Sequence, residues 1–127
     1  MKFHAKENAQ SKSYDFAFRV VLVCQEIREK KKEYILTKQL IRSGTSVGVN
    51  LQEVLRRQSQ KDLLHKLSIS YKEARESRYW ISLLYDSQQM SLQEKEDLDP
   101  RVFELLKILG ASINTKKKRL GTKFLTS

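Results

Sequence analysis

The chain has 127 residues, 39% of them hydrophobic, which is enough for one domain with a buried core. A single proline and four glycines leave too few turn signals for a many-stranded sheet. The longest apolar run, Val20 to Cys24, is far too short to cross a bilayer, and the first thirteen residues lack the apolar stretch of a signal peptide. The lone Cys24 can form no intrachain disulfide, so a reducing, cytoplasmic location is expected. The net charge of +10 is unevenly spread: no acidic residue follows Glu104.

Residues 1–12 are polar and aperiodic and are predicted to form a flexible arm. Helical periodicity starts near Ser13 and predicts a first helix to Lys32, with a stripe of Ala17, Val20, Val21, Cys24 and Ile27. A short connection around Glu33 to Leu36 implies an antiparallel second helix, from Thr37 to about Arg57. Its apolar positions are Leu40, Val47, Leu51 and Val54, yet it also carries Ser43, Gly44, Thr45, Ser46 and Gly48. A glycine costs a solvated helix about 1 kcal/mol relative to alanine. Two of them inside a helix make sense where a neighbouring helix comes close.

Ser59 and Asp62 resemble an N-terminal cap and open a long third helix, Gln60 to about Gln88. Its seam is Leu63, Leu67, Ser70, Ala74, Ser77, Ile81 and Leu84, in alternating steps of four and three. Tyr79, Trp80 and Leu83 form a second apolar patch, a candidate surface for a partner protein or another subunit. Ser91 with Glu94 fits a capping box and begins a fourth helical region. There Pro100 either starts a new helix after Asp99 or kinks a continuous one. Val102, Leu105, Leu106, Leu109 and Ile113 continue the stripe. Helicity is expected to end near Lys118, leaving residues 120–127 as a flexible tail. The whole predicts an all-α fold: an antiparallel up-down-up-down four-helix bundle spanning residues 13–119, with rods of roughly 30–42 Å.

Chemistry is sparse. Asp62 and His65 stand one turn apart, but the second Glu-x-x-His pair of a di-iron bundle is missing, so no metal and no cofactor is expected. Cys24 has no histidine on its helix to activate it. Gly44 and Gly48 lie within a helical pattern and form no phosphate loop. No catalytic residues are assigned. Asn50, Glu53, Glu73 and Glu76 are polar groups on otherwise apolar helices, and buried carboxylates require partners. Glu53 or Glu76 is expected to pair with Arg42, Arg57 or Arg78. Basic runs attract polyanions. The candidate nucleic-acid contacts are Lys30, Lys31, Lys32, Arg56, Arg57, Lys116, Lys117, Lys118 and Arg119.

Three segments resemble a known family. Arg42 to Glu53 is similar to its second-helix signature, an Arg-x-x-x-Ser-Ile-x-x-Asn-Ile-x-Glu run. Ser59-x-Lys61-Asp62 with Leu67 to Ser70 resembles the start of its third helix, and Lys72 to Ile81 that helix's second half. The family is the bacterial four helix bundle protein group. It includes proteins encoded in intervening sequences of large-subunit ribosomal RNA genes and the accessory variability protein of diversity-generating retroelements. The resemblance covers about residues 13–119. It departs after the glutamate, where members often carry glycines and this chain has Val54 and Arg56. It implies a ring-like homopentamer without enzymatic activity. By analogy with the retroelement relative, it also implies binding to RNA or DNA and service to a reverse transcriptase. The alternative is a structural adaptor that engages a protein through Tyr79, Trp80 and Leu83.

Overall fold

A computed structural model describes residues 8–54 and 59–126, with side chains to residue 121. Four helices follow one another: α1 (Ala9–Lys31), α2 (Ile35–Val54), α3 (Gln60–Asp86) and α4 (Leu92–Thr126). Each packs against its chain neighbours and α4 closes on α1, while the diagonal pairs stay apart. This is the antiparallel four-helix bundle that the periodicity predicts.

Helix α1 begins four residues before the expected Ser13. Asn8 and Ser11 form a reciprocal cap: the Ser11 N–H donates to Asn8 Oδ1 (2.9 Å) and the Asn8 N–H to Ser11 Oγ (3.0 Å). The polar character of residues 9–12 therefore marks a helix start and not an arm. At the other end Lys32 turns left-handed (φ 57°), its N–H bonded to the Arg28 carbonyl (3.1 Å). Glu33 then caps α2, accepting the N–H groups of Ile35, Leu36 and Thr37 at 2.9–3.1 Å. A carboxylate suits the positive end of the helix dipole, and it starts α2 two residues before Thr37. The expected end of α2 at Arg57 lies outside the described residues.

Helix α3 starts where Ser59 accepts the Asp62 N–H (3.1 Å) and ends at Asp86, two residues short of Gln88, which turns left-handed (φ 66°). Ser91 and Glu94 form the expected capping box of α4. The helix then runs unbroken through Pro100, so no second start occurs there. It also continues to Thr126, which overturns the loose tail expected from residue 120. The half-buried Lys116 and Leu120 carry the inward face of Val102, Leu109 and Ile113 past the basic run, so helicity persists at the cost of one glycine, Gly121.

All seven residues of the predicted α3 seam are buried. Two of them, Ser70 and Ser77, are polar and meet α2 closely. Ser77 Oγ lies 2.9 Å from Ser43 Oγ and also donates to the Glu73 carbonyl, and Ser70 Oγ donates to the Val47 carbonyl (3.0 Å). On the other side of α2 the glycines meet α1. A methyl group on Gly44 would lie 3.2 Å from both Cγ atoms of Val20, and one on Gly48 would lie 3.2 Å from Ser13 Oγ. Every buried side-chain polar atom among the described residues has a hydrogen-bond partner. Cys24 packs in the α1–α2 core, and burial pushes its thiol up to about 12.

Candidate nucleic-acid interface

The register of the helices decides which cations can act together. Three ion pairs tie α1 to α4: Lys12 with Glu104, Asp15 with Arg101 (2.8 Å) and Arg19 with Asp97 (2.6 Å). By this register Asn8 lies level with Ile108, so residues 109–126 of α4 extend beyond the described part of α1. Against α3, Arg78 lies over the Phe103 ring (4.0 Å), Tyr71 lies beside Gly110 and Lys95 lies over Tyr85 (5.4 Å). Lys107 is thus level with Ala74, and Lys118 with Leu63.

The predicted cations fall at opposite ends of the bundle. Lys30, Lys31 and Lys32 sit beside the α3–α4 turn, while Lys116 to Arg119 lie level with the start of α3, about 40 Å away along α4. At the first end Lys30 pairs with Glu26 (2.5 Å), whose hydrogen bond and charge raise the lysine's pKa. The adjoining surface cleft of about 350 Å³ also holds Glu94, so carboxylates offset this cluster. At the second end Lys117, Lys118 and Arg119 are exposed and have no ion-pair partner among the described residues. Arg56 and Arg57 lie outside the described residues.

Contiguous runs in the sequence conceal a further set of cations. Lys61, His65, Ser68, Lys72, Arg75 and Tyr79 recur in steps of four and three and are all exposed, opposite the α3 seam. Lys72 and Arg75 have no ion-pair partner among the described residues. Lys107 stands on α4 beside this stripe and continues it toward Lys118. Glu73 and Glu76 belong to the α2 side of α3, and α4 has no acid after Glu104. From the level of Lys61 to that of Tyr79 the outer α3–α4 face is therefore basic, while the exposed Asp86 and Glu96 lie beyond it toward the α3–α4 turn. Helical spacing was the signal for it; adjacency in the chain was not.

On the α2–α3 face, Arg42 reaches two carboxylates, Glu76 and Glu73 (3.4 Å). Trp80 Nε1 also donates to Glu76 (3.3 Å). Burial and the neighbouring Glu76 raise the Glu73 pKa against the pull of Arg42. Burial works against the charged form of Glu76 too, but the hydrogen bonds from Trp80 and the charge of Arg42 outweigh it and lower its pKa. Of the expected pairings, Glu76 with Arg42 forms, and among the described residues Glu53 pairs with Lys66; Arg57 lies outside them. Arg78 turns instead to Phe103. Asn50 donates within its own helix to the Ser46 carbonyl (2.8 Å). Of the aromatic patch, Tyr79 is 61% exposed, whereas Trp80 and Leu83 are half-buried and Trp80 packs on the core.

Among the described residues no three His, Cys, Asp or Glu side chains gather where they could hold a metal ion, and no helix is long and apolar enough to cross a membrane. Residues 6–111 match the sequence profile of the 23S rRNA-intervening sequence proteins. Among curated proteins none matches the chain. The fold is similar to the crystal structure, at 1.70 Å resolution, of a protein with unknown function from the S23 ribosomal protein family of Bacteroides thetaiotaomicron VPI-5482. The two share 35% identity with a TM-score of 0.81, over 84% of this chain and 98% of the other.

Proposed function

This chain belongs to the 23S rRNA-intervening sequence protein family, and we propose that it is a non-enzymatic, self-associating protein that binds RNA or DNA through its basic surface. One observation supports this above the others. Lys72, Arg75, Lys107 and Lys118 share one side of the bundle, with no carboxylate on the outward stripe of α3 between Lys61 and Tyr79 or on α4 beyond Glu104. Such a face attracts phosphate at long range, and binding releases counterions from the nucleic acid. Lysine reads phosphate and not base edges, so the affinity depends little on base sequence.

Self-association belongs to the same reading. A homopentamer, which the resemblance implies, would multiply the +10 of each chain to about +50 and convert weak phosphate contacts into avidity. Light scattering tests it, with about 75 kDa expected from a chain of 14.9 kDa. Titration of a structured RNA against salt tests the nucleic-acid reading. With four phosphate contacts, log affinity should fall with log salt at a slope between about −2.8 and −3.6. Absence of binding at about 50 mM salt refutes it.

A further inference from the structure

The basic α3–α4 face ends on aromatic side chains, and charge alone does not account for them. Tyr79 completes the outward stripe of α3 and is 61% exposed. Phe103, on the adjoining α4, is 45% exposed, and the guanidinium of Arg78 lies 4.0 Å above its ring. One turn and more further along, Gly110 of α4 lies beside Tyr71 of α3. From the level of Tyr79 to that of Lys61 the face is about 27 Å long.

A duplex keeps its bases stacked inside and offers an exposed ring nothing to stack on. An unpaired strand offers both phosphates and base faces. Positive grooves that end on aromatic platforms serve such strands, and the outer plane of an arginine already stacked on a ring is itself a surface for a base. Resting on the nucleic-acid reading above, we propose that this face binds an unpaired stretch of RNA or DNA. Lys72, Arg75, Lys107 and Lys118 hold its phosphates, and bases stack on Tyr79, whose ring meets Trp80 edge-on (5.1 Å), and on the Arg78–Phe103 pair. The interaction tolerates any base, since each has a π-face. The Lys30 to Lys32 cluster, at the opposite end and offset by Glu26 and Glu94, takes no part.

Fluorescence anisotropy with an unstructured 20-nucleotide oligo(U) and a blunt 20-base-pair duplex tests the proposal. The wild-type chain should prefer the single strand. Tyr79→Ala should weaken single-strand binding by about 5- to 150-fold, the range of one lost stacking contact, and leave duplex binding unchanged. The double variant Lys72→Glu/Arg75→Glu should weaken binding to both, and Lys30→Glu/Lys31→Glu to neither. These positions are exposed, and circular dichroism confirms that each variant keeps its helices. Single-strand binding unaffected by Tyr79→Ala overturns the stacking site while leaving charge-driven binding intact. Greater loss from the Lys30/Lys31 reversal than from the Lys72/Arg75 reversal overturns the footprint. Failure of the wild-type chain to bind either probe at about 50 mM salt sinks the parent reading, and this one with it.

Discussion

Replacing Gly44 with alanine tests whether close approach is the reason for a glycine inside α2. The added methyl would sit 3.2 Å from both Cγ atoms of Val20. Val20 is fully buried and β-branched, so on a helix it has essentially one rotamer and cannot turn away. Overpacking of this kind costs about 1–3 kcal/mol, against about 1 kcal/mol gained by replacing a helical glycine. The net expectation is a loss of about 0–2 kcal/mol. Gly110→Ala is the control, because its methyl would meet Tyr71 at 3.5 Å, an ordinary contact. That change should stabilise by about 1 kcal/mol. An unfolding entropy of about 2.1 cal/mol/K per residue over 127 residues makes 1 kcal/mol worth about 4 °C in Tm. Calorimetry at fixed protein concentration should therefore show Gly110→Ala melting about 4 °C higher and Gly44→Ala unchanged or up to about 8 °C lower. In a Val20→Ala background the clash is gone, and Gly44→Ala should become stabilising like its control. A rise in Tm for Gly44→Ala equal to that for Gly110→Ala, with no dependence on residue 20, refutes the reasoning.

Ser77→Ala should cost about 1–2 kcal/mol in urea unfolding, because it removes two hydrogen bonds and leaves Ser43 with only a 3.4 Å contact to the Leu40 carbonyl; an unchanged midpoint would show that the serine seam is not needed. Glu73 and Glu76 should respond oppositely to pH. The lowered pKa of Glu76 contributes stability above the ordinary carboxylate value of 4.5, lost as the pH falls through its folded value. The raised pKa of Glu73 disfavours the folded state above 4.5, and protonation on acidification relieves this. At pH 7 Glu76→Gln should thus destabilise slightly and Glu73→Gln stabilise slightly, each by less than about 1 kcal/mol at a half-buried site still open to solvent, and both effects should fade as the carboxylates protonate below pH 4.5. Effects of the same sign from the two variants would contradict the assignment.

The architecture was legible because the buried set on α3 keeps a strict three-four step that no turn residue interrupts. The small residues of α2 could be understood from sequence too, since glycine within an otherwise good helix has few other uses. Helix ends were less legible. Asn8 and Ser11 cap α1 without the Glu or Gln of the familiar capping box, and Gly121 reads as a stop signal although Leu120 still has a surface to cover. The candidate interface was legible only in part. Runs such as Lys30 to Lys32 and Lys116 to Lys118 stand out along the chain, but adjacent helical residues point in different directions. Lys72, Arg75 and Lys107 are dispersed in sequence, and only the α3–α4 register brings them together. The partner of Glu53 was beyond sequence because it depends on how far α2 and α3 are offset along their axes.

The contact of Gly44 with Val20 has one more consequence. Helices pressed together until a single methyl group is too much leave no guest volume between them and no slack for sliding. The α1–α2 half of the bundle acts as a stiff frame, so the outward side chains of α3 and α4 can be exchanged without disturbing it.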